Sequence, residues 1–139
     1  MAKTELLLDT CAAIWLALDA KMSSEAVAAI DEASDDGLPL RLSMITAWEL
    51  GLLARSGRAP MAQSPQAIFR TFQQLPGVTV EALTPDILIE SSQLPGEVHG
   101  DPADRIIIAT ARAYDLTIVT RDRNILDYAE RGYVRALAC

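Results

Sequence analysis

Short apolar runs that alternate with helical segments constrain this chain to an α/β fold. Residues 5–8 (ELLL) and 117–120 (TIVT) are continuous apolar or β-branched runs, which is typical of strands buried on both faces. Segments with helical periodicity separate such runs from one end of the chain to the other. This alternation predicts a single three-layer α/β/α domain over residues 1–139, built around a central, mostly parallel sheet. In sheets of this kind, ligands bind beyond the carboxyl ends of the strands.

Capping patterns predict where several helices begin. The serines at 23–24 can cap a helix whose apolar face carries Val27 and Ile30. Thr46 and Glu49 have the spacing of a capping box, which predicts Thr46 as the N-cap of another helix. The second helix should run to about Ser56 and stop at Gly57.

The stretch from His99 to Asp122 contains the longest predicted helix and a buried strand. We expect Asp101 to cap that helix and Pro102 to begin it. The apolar run over residues 106–113 should be the buried part of the helix, and it leads to the strand that ends before Asp122. Acids thus stand at the start of the helix and just beyond the end of the strand.

Composition narrows the chemistry that the chain can perform. One histidine, His99, excludes two-histidine zinc signatures, and two cysteines, Cys11 and Cys139, make a disulfide framework improbable. The net charge of −7 argues against binding of nucleic acid through an overall positive charge. It does not exclude a nuclease with an acidic site. With no signal peptide and no apolar run of about 18–20 residues, we expect a cytoplasmic protein without a membrane partner.

Four acids are candidates for one shared site. Asp9 follows the first strand, Glu49 lies in the first turn of the helix after a second predicted strand at 38–43, and Asp122 follows the strand at 117–120. These three fall on the carboxyl edge if the sheet is parallel, and Asp104 would join them by tertiary packing. Each acid also has a plain structural explanation, as a helix cap, a first-turn residue that offsets the helix dipole, or a turn residue.

Four acids that converge at one place would indicate a cation site or a functional site, which no single acid indicates. Like charges brought together raise each other's pKa, so a fold keeps such a cluster only if a cation or a function compensates. Carboxylates bind hard ions such as Mg²⁺ or Mn²⁺, and these ions promote phosphodiester hydrolysis without a histidine or serine nucleophile. The pattern therefore predicts a metal-dependent hydrolase of phosphodiesters.

Four motifs resemble those of PIN-domain ribonucleases, and in particular the VapC toxins of bacterial toxin–antitoxin pairs. They are LLLDT at 6–10, TAWELGLL at 46–53, HGDPADRIIIATA at 99–111 and IVTRD at 118–122, in order along the whole chain. The resemblance implies a PIN-like fold with about five parallel strands and a Mg²⁺- or Mn²⁺-dependent endoribonuclease that acts on RNA as a toxin. It also implies a homodimer and inhibition by a VapB-like antitoxin.

Carried over by position, the resemblance implies the same four residues for catalysis and for metal binding: Asp9, Glu49, Asp104 and Asp122. Other residues near the motifs have open interpretations. Thr120 would either steer a water or phosphate or simply end a strand, and Cys11 is expected to be a small buried residue. Trp15 and Trp48 are expected in the core or in an interface. Asp127 is expected to be a solvated helix acid. The arginines at positions 55, 58, 105, 121 and 123 are either phosphate contacts or solvated side chains.

Two other classes of protein compete with the nuclease. A catalytically inactive PIN-like module would only bind a partner protein, and the complete set of acids speaks against it. A phosphoaspartate domain of the receiver or phosphatase type would want a lysine near the late strands or an aspartate at position 11, where this chain has Cys11.

Overall fold

A parallel β-sheet forms the middle layer of the protein. The computed structural model describes residues 4–18, 20–57, 62–98 and 100–139. Within these ranges the strands are β1 (Leu6–Leu8), β2 (Leu40–Ser43), β3 (Val78–Glu81), β4 (Thr117–Thr120) and β5 (Arg135–Ala138). They pair in the order β3-β2-β1-β4-β5, and every pair is parallel. The predicted α/β fold with a parallel sheet is confirmed, and β3 and β5 lie at its edges.

Helices cover both faces of the sheet. In the described ranges they are α1 (Thr10–Ala17), α2 (Ser24–Asp35), α3 (Ile45–Ser56), α4 (Pro65–Gln74), α5 (Pro85–Ser91), α6 (Pro102–Tyr114) and α7 (Arg123–Glu130). Leu7 of β1 faces a core built mainly from α5, α6 and α7. Leu6 and Leu8 face the opposite core, which α1, α2 and α4 help to fill. This alternation follows from the two-residue period of a strand.

Strand β1 occupies the centre of the sheet. Its three leucines are at most 2% exposed, since they are covered by helices above and below and by β2 and β4 at the sides. Leu8 pairs with Leu42 on one side and with Val119 on the other. The residues that follow these three positions therefore emerge at one edge of the sheet.

Two predictions about the helices are wrong: one concerns the N-cap of α3 and the other the buried face of α2. Helix α3 begins at Ile45 with Met44 at the N-cap position, so Thr46 lies inside the first turn and is not the cap. The Ser43 hydroxyl accepts the hydrogen bond of the Ile45 N–H instead. On α2, Val27 is 44% exposed, and the buried positions are Ala26 and Ala33. Small alanine side chains allow the helix to lie close to the sheet.

The buried part of α6 is shorter than the sequence indicated. Ile106 to Ala111 are buried, whereas Ala113 and Tyr114 are exposed. Asp101 caps this helix and Pro102 begins it, as predicted. In the described ranges, we find no helix that combines the length and the apolar character needed to span a membrane.

The loop before α6 is held by two tyrosines. The Tyr128 hydroxyl donates a hydrogen bond of 2.6 Å to the Pro95 carbonyl oxygen, and the Tyr128 and Tyr133 rings stack with centroids 4.9 Å apart. Gly96 has φ +71°, and a Cβ at this position would lie 2.7 Å from Tyr133 ring atoms. The tyrosine pair thus fixes the path of the chain towards Asp101.

Replacing Gly96 should cost more stability than replacing a glycine with the same backbone conformation in open space. Gly37 has φ +72° and no atom within 4 Å of an added Cβ. We expect Gly37→Ala to lower the free energy of unfolding by ~1–2 kcal/mol through left-handed strain. Gly96→Ala should lower it by a further ~1–3 kcal/mol, because the Tyr133 ring must move. Denaturant unfolding of both variants measures the difference, and equal losses would contradict the role given to Tyr133.

Candidate active site

Asp9 lies where β1 ends and α1 begins. Its Oδ1 accepts a 2.8 Å hydrogen bond from the Ala12 N–H, so it caps α1, and its Oδ2 accepts a hydrogen bond from the Thr120 hydroxyl. The residue is 6% exposed. Burial raises the pKa of the Asp9 carboxyl, the bonds from Thr120 and Ala12 oppose that rise, and the charge of Asp122 adds to it. Asp9 is therefore both a cap and a buried acid that faces a second acid.

Thr120 connects the ends of β1 and β4. Its side chain is fully buried, and its hydroxyl donates to Asp9 while accepting a 2.9 Å hydrogen bond from the Asp122 N–H. Asp122 in turn caps α7, because its Oδ1 accepts a 3.1 Å bond from the Ile125 N–H. Thr120 is thus not a plain strand-end residue, and it is not exposed to solvent. Its hydroxyl links two of the predicted acids, Asp9 and Asp122, by hydrogen bonds.

Glu49 reaches the same edge from α3. Its Oε1 accepts a 2.6 Å hydrogen bond from the Thr10 hydroxyl, and the Thr10 and Thr46 hydroxyl oxygens are 3.1 Å apart. Burial raises the pKa of the Glu49 carboxyl, the bond from Thr10 opposes the rise, and the charges of Asp101, Asp9 and Asp122 add to it. Glu49 does not complete a capping box, since its carboxylate is turned towards α1.

Asp104 joins the group from the first turn of α6. Burial and then the charges of Asp122, Asp101, Glu49 and Asp9 raise its pKa to about 7. Asp101 beside it caps the helix through bonds of 2.9 Å from the Ala103 N–H and 3.4 Å from the Asp104 N–H. Each of the four predicted acids thus lies within electrostatic range of others, and Asp101 is a fifth acid of the group.

The acids of the described residues do not form a tight chelating cage. In the part of the chain that the structure describes, no three His, Cys, Asp or Glu side chains stand close enough to hold one metal ion between them. His99 lies outside the described residues. A cation at this edge would therefore be held by few carboxylates at a time, as Mg²⁺ often is when it keeps several waters.

Cys11 is exposed and not buried as predicted. Its thiol is nevertheless partly desolvated by surrounding protein. This desolvation, followed by the charges of Asp9 and Glu49, raises the pKa of Cys11 to about 11. The thiol stays protonated at neutral pH, so it is a poor nucleophile and a poor metal ligand in this state.

Two of the arginines near the motifs, Arg105 and Arg121, donate hydrogen bonds to backbone carbonyl oxygens elsewhere in the protein. Arg105 donates a 2.8 Å hydrogen bond to the Ser91 carbonyl oxygen. Arg121 donates to the Cys139 and Lys21 carbonyl oxygens at 2.7 and 3.0 Å, and its guanidinium lies 3.7 Å from the centre of the Trp15 ring. Trp15 is thus partly buried under Arg121.

The remaining charged residues near the edge differ in their surroundings. Arg123 pairs with Asp127 at 2.8 Å on exposed α7, so Asp127 is the solvated helix acid that we expected. Arg55 lies exposed in the last turn of α3, and Arg58 lies outside the described residues. These observations leave the carboxylates as the dominant charge at this edge.

Sequence reasoning did not identify Thr10 and Thr46 as part of the site. Both are buried, and both connect to Glu49. A threonine directly after Asp9 and another on the same helical face as Glu49 were the available signals.

Known proteins share both the sequence pattern and the fold. Residues 6–131 match the PIN domain family. Ribonuclease VapC22 of Mycobacterium tuberculosis (strain ATCC 25618 / H37Rv) is 32% identical over 123 residues, which cover 88% of this chain and 90% of that protein.

Solved toxin–antitoxin structures contain chains of the same fold. One is VapBC2 from Rickettsia felis bound to a DNA fragment from their promoter, with TM-score 0.68, 13% identity and coverage of 98% of this chain and 99% of that chain. Another is a toxin–antitoxin complex from Klebsiella pneumoniae, with TM-score 0.61, 22% identity and 96% of each chain covered. Because the family match spans most of the chain and the 32% identical relative covers most of it too, this chain belongs to the PIN-domain family.

Proposed function

We propose that this chain is a single-domain endoribonuclease that hydrolyses RNA phosphodiester bonds with the help of Mg²⁺ or Mn²⁺. Its role would be that of the toxin in a toxin–antitoxin pair. The observation that carries the proposal is the convergence of acids from four separate segments, which together with burial raises the pKa of Asp104 to about 7. The PIN-domain match and a relative named as a ribonuclease support RNA as the substrate. An RNA substrate also favours a cytoplasmic location.

We assign metal binding to Asp9, Glu49, Asp104 and Asp122. Their donors are all carboxylate oxygens, which suit a hard divalent cation. Mutual repulsion among these acids gives a cation a free-energy gain on binding, because it neutralises charges that the fold has brought together. A bound Mg²⁺ or Mn²⁺ would stabilise negative charge that develops on the phosphate and would lower the pKa of an attacking water.

The residues themselves would orient the reactants. Asp9 and Asp122 are held in place by Thr120 and by the helices that they cap, so their carboxylates are fixed before substrate arrives. Asp104, whose pKa is raised to about 7 in the metal-free protein, would be kept ionised by a bound cation and could then orient a water by accepting its hydrogen bond. This arrangement positions a water and a phosphate without a nucleophilic side chain.

A basic segment of an antitoxin is the partner that this edge would bind. The group of five acids, on a chain with net charge −7, attracts arginine or lysine side chains. The toxin–antitoxin complex from Klebsiella pneumoniae contains a chain of the same fold, which supports a protein partner of this kind. We propose that a VapB-like antitoxin inserts a basic side chain among the carboxylates and so blocks the site.

A second copy of the chain would cover an apolar stripe on α3. Met44, Trp48 and Leu52 follow each other at four-residue spacing and are 43–48% exposed. Four-residue spacing puts them on one helical face. A two-fold dimer brings the same patch of both copies together, and such an apolar stripe is suited to packing against itself. We therefore propose a homodimer through α3. Trp48 is 48% exposed, so it does not lie in the core, and in this dimer it would lie in the interface.

Neutralising one acid should abolish cleavage without unfolding the protein. We expect Asp9→Asn and Asp104→Asn to lower the rate of RNA cleavage roughly 100-fold or more, because each removes a charge that positions the cation and the water. Asp127→Asn on α7 is the matched control and should cleave normally. Cleavage of labelled RNA with Mg²⁺, with Mn²⁺ and with excess chelator gives the measurement, and circular dichroism checks the fold. Undiminished cleavage by Asp9→Asn or in chelator would refute the proposal.

The same two variants examine the antitoxin proposal. If a basic side chain enters the acidic group, a VapB-like antitoxin that binds the wild type should bind each Asn variant more weakly. Equal affinity, measured by calorimetry, would show that the partner binds elsewhere.

Stability of the metal-free protein should fall as pH rises. The pKa of Asp104 is raised from 3.8 to about 7 on folding, so protonation favours the folded state. This contribution is fully present below pH 3.8 and is lost as the pH rises through about 7. In chelator, Asp104→Asn should match the wild type near pH 4 and exceed its stability at pH 8, and Mg²⁺ should reduce that difference. Thermal unfolding across this range measures it, and parallel curves for the two proteins would exclude a raised pKa.

A charge in the α3 stripe should dissociate the homodimer. Trp48→Glu should weaken self-association roughly tenfold or more, since large aromatic residues dominate such interfaces. Val27→Glu is the control, because Val27 is 44% exposed on α2, away from the stripe. Sedimentation velocity measures both variants. A wild-type monomer, or an unchanged dimer for Trp48→Glu, would rule out this interface.

A further inference from the structure

Two buried threonines form a short hydrogen-bonded chain behind Glu49. Thr46 is fully buried in α3, and Thr10 is 4% exposed in the first turn of α1. The Thr10 hydroxyl lies 3.1 Å from the Thr46 hydroxyl and 2.6 Å from Glu49 Oε1. Thr46 and Glu49 lie three residues apart on one face of α3, so the Thr10 hydroxyl is held between two side chains of the same helix.

The directions of these hydrogen bonds follow from counting protons. An ionised Glu49 can only accept, so Thr10 donates its single hydroxyl proton to Oε1. Thr10 then has no proton left for Thr46, and Thr46 must be the donor to the Thr10 oxygen. The chain therefore runs from Thr46 through Thr10 to Glu49, and each donor is matched to one acceptor.

Glu49 needs such a donor because its surroundings repel it. Its side chain has three rotatable bonds, and the charges of Asp101, Asp9 and Asp122 disfavour its ionised form in this position. Without a hydrogen bond, the carboxylate would lower its energy by turning towards solvent. A hydroxyl that is itself held by a buried neighbour has little freedom to follow such a movement.

We propose that Thr10 and Thr46 are positioning residues that hold the Glu49 carboxylate in the acidic group, with Oε1 bonded to Thr10 and Oε2 presented to a divalent cation. This inference rests on the proposed metal-dependent function. Thr10 directly follows Asp9, so the same segment places one acid and orients another. Removal of the Thr10 hydroxyl should weaken cation binding even though neither threonine touches the cation, because Glu49 loses its fixed orientation.

A purely structural role is the competing explanation. The threonine pair also joins α1 to α3, so its loss would lower stability in either case. Cation affinity of the folded protein separates the two explanations, since the strength of helix docking does not by itself change it. Rescue by serine adds a second distinction, because serine keeps the hydroxyl and loses only the methyl group.

The experiment is calorimetric titration of the folded protein with Mn²⁺ alone, followed by RNA cleavage as a function of Mn²⁺ concentration. We expect Thr10→Val to raise the dissociation constant about 10- to 100-fold, in the range typical of residues that support metal ligands. Thr10→Ser should stay within about threefold of the wild type. Thr110→Val is the matched control: Thr110 is 1% exposed, and its hydroxyl donates 2.8 Å to the Ile106 carbonyl oxygen within α6. This control should bind Mn²⁺ normally.

The outcomes separate this inference from the proposed function. If the wild type binds Mn²⁺ and Asp9→Asn does not, yet Thr10→Val binds as tightly as the wild type, the positioning role is overturned while the nuclease stands. A wild type without measurable Mn²⁺ binding overturns both. If Thr10→Val does not fold, Thr46→Val takes its place. It keeps the Thr10 bond to Glu49 and removes the donor behind it, so unchanged affinity in that variant also counts against the inference.

Discussion

The hydrogen bond from the Thr120 hydroxyl to Asp9 is the interaction on which the acidic edge depends. It joins the ends of β1 and β4, which meet because the strands pair with Leu8 beside Val119. The same hydroxyl oxygen holds the Asp122 N–H, so one side chain sets the separation of two acids from distant parts of the chain. A shift of one residue in this register would turn Thr120 to the other face of the sheet and break its bond to Asp9.

Repulsion among the acids is offset by groups that the fold supplies locally. Asp9, Asp101 and Asp122 each cap a helix, and a helix N-terminus stabilises a negative charge by ~0.3–1 kcal/mol. Glu49 has no such position and accepts a hydroxyl hydrogen bond instead. An acid can therefore cap a helix and also belong to the acidic group. Capping offsets part of the repulsion between these neighbouring carboxylates.

The sheet and the acidic edge could be predicted because both follow from local rules. A continuous apolar run predicts a buried strand, and an acid after each parallel strand must emerge at the carboxyl edge. The hydroxyl bond between Thr10 and Thr46 spans 36 residues, and no local pattern encodes such a contact. For this reason the local sequence predicts Thr46 as a cap, whereas its hydroxyl is bonded to Thr10. The face of α2 was misassigned at Val27 because the closeness of a helix to the sheet decides which face is buried.

The position of β1 in the sheet has a consequence for protein synthesis. Residues 6–8 of β1 pair with residues 117–119 of β4. One of the two neighbours of the central strand is therefore translated more than a hundred residues after it. Such distant pairing slows folding, because the loop must close before its contacts form. A chain still emerging from the ribosome lacks Asp104, Asp122 and the Thr120 hydroxyl together. The acidic edge therefore cannot assemble until synthesis of the chain is nearly complete.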